Sequence, residues 1–215
     1  MFDRDGNRKY LNTSERRAFH EAALSLPDPQ ERSFALTVLF TGCRISEALA
    51  LTASGVDRAE RLLVLKTLKQ RGRHRIRAIP VPDELLQALS KQTQALAPSE
   101  RIWGFCRTTG WKIIKRCMAD AGLAGVKATP KGLRHGFAIA CVSASIPLPV
   151  LQRWLGHASL HASPKGLRHG FGIACVQKSI SMPTIAKWME HSDIKNAAIY
   201  LKTTGQEDRL FSKIV

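Results

Sequence analysis

One segment of this chain occurs twice, back to back. Residues 128–161 read ATPKGLRHGFAIACVSASIPLPVLQRWLGHASLH, and residues 162–195 read ASPKGLRHGFGIACVQKSISMPTIAKWMEHSDIK. The offset is a constant 34 residues, so Arg134 matches Arg168, Trp154 matches Trp188 and His157 matches His191, and 18 of the 34 positions are identical. A fold with room for one such unit must therefore accommodate two. Each unit reads as a pair of helices. The first helix carries Leu133, Phe137 and Cys141 at i, i+4 and i+8; the second opens with Pro149 or Pro183 in its first turn and carries Trp154 or Trp188 inward. The period also matches helical solenoid repeats. Two copies do not make a stable array, however, and the identities concentrate on charged residues rather than on packing positions. Only the second copy runs on into a tyrosine: Tyr200 stands nine residues after His191, whereas nine residues after His157 stands Gly166.

The upstream chain predicts a mainly α fold with a small antiparallel β-hairpin. Residues 1–12 are polar and basic and read as a loose lead-in. Ser14 can cap a helix over roughly 15–25, which Pro27 and Pro29 end. Residues 31–40, ERSFALTVLF, are apolar enough for a buried helix. In TGCRISEALAL, Thr41 and Gly42 make a turn, and Ile45, Ala48 and Leu49 form an apolar stripe. Arg44 edges that stripe and needs a partner, because a desolvated unpaired charge is costly.

Residues 61–81 predict the hairpin. RLLVLKTL is rich in β-formers, Gly72 marks the turn, and RIRAIPV alternates until Pro80. Its tip holds four fixed positive charges, Lys69, Arg71, Arg73 and Arg75. Residues 83–95 form an amphipathic helix through Leu85, Leu86 and Leu89, and 111–121 another, whose Lys112, Lys115 and Arg116 can line a DNA backbone. After His191, Asp193 can cap a last helix with Ile194, Ala197, Ala198 and Leu201 as its stripe and Tyr200 on its flank.

Charge narrows the partner. The 215 residues carry 33 Lys and Arg against 17 Asp and Glu, a net charge of +16. Such an excess favours a polyanion, because each neutralised phosphate releases counterions. The five cysteines, Cys43, Cys106, Cys117, Cys141 and Cys175, are odd in number and form no CxxC pair, so neither a disulfide framework nor a zinc ribbon is suggested. No signal peptide and no apolar run near 18 residues is seen, so a membrane partner is not expected and a reducing cytoplasm is the simplest location.

The residue types that recur are Arg, Lys, His and one late Tyr. There is no P-loop or GxGxxG, no HExxH, and the acidic residues are scattered rather than clustered for two metals. The expectation is chemistry without metal or cofactor. A tyrosine hydroxyl can attack phosphorus and split a hard exchange into two easier steps. Arginine forks can bind the non-bridging oxygens, a histidine can hydrogen-bond or move a proton, and a lysine can protonate the leaving oxygen.

TGCRISEAL, a basic hairpin, PKGLRHGF, WMEH and a tyrosine nine residues later, in this order, resemble the tyrosine recombinases of the phage integrase family over roughly residues 30–205. The resemblance implies that family's catalytic-domain fold and a site-specific recombinase or integrase that cuts and rejoins DNA through a 3′-phosphotyrosyl intermediate. It implies double-stranded DNA as partner and self-association on it as dimer or tetramer. Arg44 would be the first phosphate-binding arginine and Lys69 the general acid, with Lys66 and Arg71 as rivals because hairpin length varies. Arg168, with Lys165 three residues before it, would supply the second arginine, His191 the later histidine and Tyr200 the nucleophile. The alternative set is Lys131, Arg134 and His157. Arg71, Arg73, Arg75, Lys112, Lys115 and Arg116 would contact the DNA backbone.

Only one unit can face Arg44. Register favours the second, because Arg168, His191 and Tyr200 keep the family's spacing. The first joins directly to the upstream helices and has the more typical LGH, where the second has Glu190 for the glycine. The domain expectation is a lead-in and first helix over 1–29 and a catalytic domain over 30–215 that contains the tandem repeat, with no separate N-terminal core-binding domain. Two other readings remain open: a DNA-binding but inactive relic, and a strand-relaxing enzyme of the type IB topoisomerase kind.

Overall fold

The structure is a computed structural model and describes residues 3–70, 73–156, 171–172, 175–176 and 178–189. Its elements are helices α1 (Thr13–Leu24), α2 (Pro29–Thr41), α3 (Ile45–Ala48), α4 (Asp83–Thr93), α5 (Arg107–Asp120), α6 (Pro130–Ser143), α7 (Leu148–Leu155) and α8 (Met182–Trp188), with strands β1 (Val56–Asp57), β2 (Leu62–Gln70) and β3 (Arg73–Pro80). The three strands form one antiparallel sheet in the order β1-β2-β3. The expected class, mainly helical with a small antiparallel sheet, is what is observed, and β1 adds a short third strand to the hairpin.

The chain divides into two compact units, one of residues 2–138 with 154–156, the other of 139–153 with the residues from 157 on. In the first unit α2 is the central helix. Asp28 caps it by accepting from the Gln30 N–H at 2.8 Å, and Pro29 starts it with a fixed φ. Ser33 to Leu39 are all buried, because α2 meets α1, α4 and α5 on different sides. Its polar residues are satisfied locally: Thr37 Oγ1 donates to the Ser33 carbonyl and Thr41 Oγ1 to the Thr37 carbonyl. Trp103 is 1% exposed; its indole N–H donates to Ser33 Oγ at 3.0 Å and its ring meets Phe34 edge-on at 5.4 Å.

α1 begins two residues earlier than Ser14 would set it. Asn12 is the cap, its side chain accepting from the Glu15 N–H while Glu15 bonds back to the Asn12 N–H. The lead-in before it is not loose throughout: Leu11 is fully buried, and its N–H donates to the Gly132 carbonyl. The apolar side chain of Leu11 anchors a stretch that its polar neighbours make look solvated.

α2 ends at Gly42, whose φ of 58° lies in the left-handed region. A Cβ there would also stand 2.6 Å from Phe137 Cδ1, so only glycine fits. This turn aims Arg44 and α3 at the sheet, where α3 packs on β2.

In the hairpin Leu63 pairs with Ile79 and Leu65 with Arg77. Leu63, Leu65, Thr67, Arg77 and Ile79 face inward, while Ile76 is 69% exposed. The alternation in RIRAIPV therefore puts an arginine inside and an isoleucine outside. Leu63, Leu65 and Ile79 fix this phase, because a slip of one residue would expose all three.

The repeat units share a local feature. In the first, Ser145 between α6 and α7 has φ 60°, and the Ile146 N–H donates to the Cys141 carbonyl. In the second, Ser179 has φ 57° and the Ile180 N–H donates to the Cys175 carbonyl. Phe171 and Trp188 of the second unit meet at 6.2 Å between ring centroids.

Candidate active site

Arg44 stands at the N-terminal cap of α3, with its side chain 46% exposed. Its partner is Glu47, three residues on. Glu47 Oε1 accepts from Arg44 Nη1 at 2.9 Å, and Oε2 accepts from the Arg44 backbone N–H at 2.8 Å. Both chain direction and head group of Arg44 are thus fixed by one carboxylate. Glu47 in turn is buried, at 2% exposure, and meets a second arginine from β3. Arg77 donates to Glu47 Oε2 at 2.7 Å and to Oε1 at 3.3 Å. Arg77 also donates to Thr67 Oγ1 at 2.7 Å, which ties the group to β2.

Burial alone would raise the Glu47 carboxyl. The hydrogen bonds and charge of Arg77, supported by Arg44, outweigh that cost and hold it below the ordinary 4.5. The site is therefore a buried anion between two cations, with Arg44 left half in solvent. A half-exposed guanidinium held by Glu47 suits an incoming phosphate, because part of it stays open to solvent and its orientation needs little further ordering.

Arg134 on α6 closes the group from the other side of the sequence. Its Nη1 donates to the Gly42 carbonyl at 2.8 Å, two residues before Arg44, and its Nη2 to the Leu155 carbonyl at 2.6 Å. Burial, then the like charge of Arg44, brings this guanidinium down to about 10, with Glu47 opposing. It stays charged at neutral pH. His135, next to it, donates from Nδ1 to the Lys9 carbonyl at 3.2 Å, and burial lowers its pKa.

The second arginine that the described residues bring to Arg44 is thus Arg134. Lys131 is exposed on the first turn of α6. Arg168, Lys165, His157, His191 and Tyr200 lie outside the described residues. Lys69 lies on β2, within the register shift between Thr67 and Gln70, although its side chain is outside the described set. Among the expected DNA contacts, Arg71 is outside the described residues, and Arg73 and Arg75 lie on β3 with their side chains outside them. On α5, Lys112 is exposed, Lys115 donates to the Ala128 carbonyl at 2.8 Å, and Arg116 pairs with Glu31.

Sequence reasoning missed Glu47 and Arg77, and it noted the glycine of LGH, Gly156, without its contact to Arg77. Glu47 was legible as the residue three after Arg44, the spacing at which a glutamate returns to a helix cap. Arg77 was legible only from the phase of the strand. Gly156 ends α7 with φ 65°, and a Cβ on it would stand 2.6 Å from Arg77 Nη1.

Comparison with known proteins agrees with this architecture. The family description that matches, the phage integrase family, covers residues 9–162. It thus spans α1, the Arg44 turn, the hairpin and the first repeat unit. A resolvase of Escherichia coli K12 is 30% identical over 167 residues, which is 62% of this chain and 62% of the resolvase. Tyrosine recombinase XerC of Roseiflexus castenholzii is 31% identical over 157 residues, 65% of this chain and 48% of that protein. The chain therefore spans about half to three fifths of the length of these relatives. In structure, XerA recombinase superimposes with a TM-score of 0.63 at 23% identity, over 79% of this chain and 64% of that one, and so shares the fold. The helices, the hairpin and the arginine-bearing α6 on which the site is built all fall inside the family match, and this chain belongs to the phage integrase family, a family of tyrosine recombinases.

Proposed function

We propose that this protein is a site-specific DNA recombinase that cuts and rejoins strands through a 3′-phosphotyrosyl intermediate. The observation that carries the reading is the convergence of Arg44 and Arg134 on one turn, with Glu47 and Arg77 fixing the first of them. Two guanidinium groups so placed can hold the non-bridging oxygens of one phosphodiester and stabilise the charge that grows on them.

The step balances without a cofactor. The Tyr200 oxygen bonds to phosphorus and loses its proton to water; the bond from phosphorus to the 5′-oxygen breaks; that oxygen takes a proton from Lys69. Attack by a 5′-hydroxyl of a second strand reverses the sequence and releases the tyrosine. The later histidine, His157 or His191, hydrogen-bonds the same phosphate. The basic hairpin and Lys112 add backbone contacts, so that affinity falls steeply with salt. The partner is duplex DNA, and protomers associate on it as dimer or tetramer, since strand exchange joins two duplexes. Solved relatives support this: XerH is described bound to its difH substrate, and a lambda integrase fragment as a dimer on a core site. No helix among the described residues is long and apolar enough to cross a membrane.

Covalent trapping tests the reading. The protein is incubated with nicked duplexes of randomised sequence, denatured, and examined for a slower band that nuclease removes. The expected result is a band that Tyr200→Phe abolishes while DNA binding persists. An adduct that survives in Tyr200→Phe would remove that tyrosine as nucleophile. Salt-sensitive binding with no adduct would favour a DNA-binding protein that has lost cleavage.

A further inference from the structure

We infer that only the first repeat unit can seat beside Arg44, because the position that ends its second helix must be glycine and the second unit carries Glu190 there. The inference deepens the proposed function by assigning the phosphate-binding role to Arg134 rather than Arg168. It rests on that function for its catalytic meaning but not for its test.

The constraint comes from Arg77. The chain leaves α7 at Gly156 with φ 65°, a conformation that favours glycine. A Cβ at this position would stand 2.6 Å from Arg77 Nη1, 3.2 Å from its Cζ and 3.2 Å from Thr67 Oγ1. An arginine free in solvent would swing away from such a contact. Arg77 cannot do so cheaply: its side chain is 5% exposed and is held by Glu47 on one side and Thr67 on the other. A glutamate in place of Gly156 would also set a second carboxylate against the same guanidinium. It would compete with Glu47, the residue that orients Arg44.

The end of the first unit is fixed in this place by one further contact. Residues 154–156 belong to the same compact unit as residues 2–138. The Leu155 carbonyl, one residue before the glycine, accepts from Arg134, whose other bond reaches Gly42. The helix end, the buried arginine and the phosphate-binding turn are therefore one bonded group, and every member of it that comes from a repeat comes from the first. The second unit matches the first at Arg168 but not at the glycine. It is an addition to the chain between this group and Tyr200, not a substitute for the first unit.

The test uses thermal melting of the full chain and needs no DNA. Gly156→Glu and Arg134→Met should each lower the melting midpoint by about 5–10 °C, the scale of a severe substitution in a domain of this size. Glu190→Gly and Arg168→Met should each move it by less than about 2 °C. Gly156→Glu should also be non-additive with Arg77→Met, since the two alter one contact. That coupling would be absent if the glycine served only its own helix end. Second-copy variants that cost as much as first-copy ones, or strict additivity of Gly156→Glu with Arg77→Met, would overturn the inference. Failure of covalent trapping would remove the recombinase reading and leave these melting results unchanged.

Discussion

The guanidinium of Arg77 and the carboxylate of Glu47 meet in the interior at 2.7 Å, with 5% and 2% of their side chains exposed. One comes from β3 and the other from α3, so the pair joins the sheet to the turn that carries Arg44. Buried pairs add little relative to apolar replacements, but removing one member leaves the other charge stranded. Glu47→Gln is expected to cost about 3–5 kcal/mol in urea unfolding. A change below about 1 kcal/mol would mean that Arg77 finds another partner.

Arg44 presents the opposite balance. It is half exposed and contributes little to stability, as ion pairs with one solvated member generally do. Arg44→Ala is expected to slow single-turnover cleavage of a nicked duplex on the order of 10²–10³-fold, by analogy with the loss of one donor to a developing oxyanion. The urea midpoint should stay nearly where it was. Unchanged cleavage would place Arg44 outside the chemistry.

Gly42 is the tightest backbone constraint next to the site. Gly42→Ala forces a side chain into a left-handed turn and against the Phe137 ring at 2.6 Å. The two effects together are expected to cost about 2–4 kcal/mol. A crystal structure of a stable Gly42→Ala protein with Phe137 unmoved would contradict the packing described.

Stability should fall in acid for a traceable reason. Burial raises the Glu15 carboxyl, but Lys127, the Asn12 N–H and Arg8 together bring it to about 2 from an ordinary 4.5. Glu47 is lowered in the same sense, against the cost of its burial, by Arg77 and then Arg44. A carboxylate lowered on folding stabilises above its unfolded pKa and loses that contribution as pH drops through its folded one. The carboxylate part of the unfolding free energy should therefore be flat above about pH 5 and decline from there towards pH 2, while His135, lowered by burial from an ordinary 6.5, adds a loss that begins as pH falls below that value. Glu15→Gln should flatten part of that decline. An acid limb of unchanged slope in Glu15→Gln would remove Glu15 as a contributor.

How far the sequence could be read follows from which signals are local. The turn at Gly42, the hairpin and the helices through Leu85 or Ile113 announce themselves within a few residues, through glycine, β-formers and periodicity. Arg44 was recognisable for the same reason, as a charge at the edge of an apolar stripe. Arg77 was not, because an arginine inside a strand looks like its solvated face until the far strand fixes the phase through Leu63 and Leu65. Leu11 was hidden in a polar stretch because its contact, Gly132, lies far along the chain. The repeat was obvious by inspection, yet register alone favours Arg168, whereas the contact with Gly42 and Leu155 is made by Arg134. Spacing counts residues along the chain; it carries no information on whether a side chain fits where it arrives.

The left-handed serines Ser145 and Ser179 stand 34 residues apart and close the same turn in both repeat units. Each unit therefore inherits its own corner rather than borrowing one from its neighbour. Removing residues 162–195 would splice His161 to Asn196 without a seam and bring the tyrosine back to nine positions after His157. A histidine-to-tyrosine spacing of nine residues in the first unit is thus one 34-residue excision away.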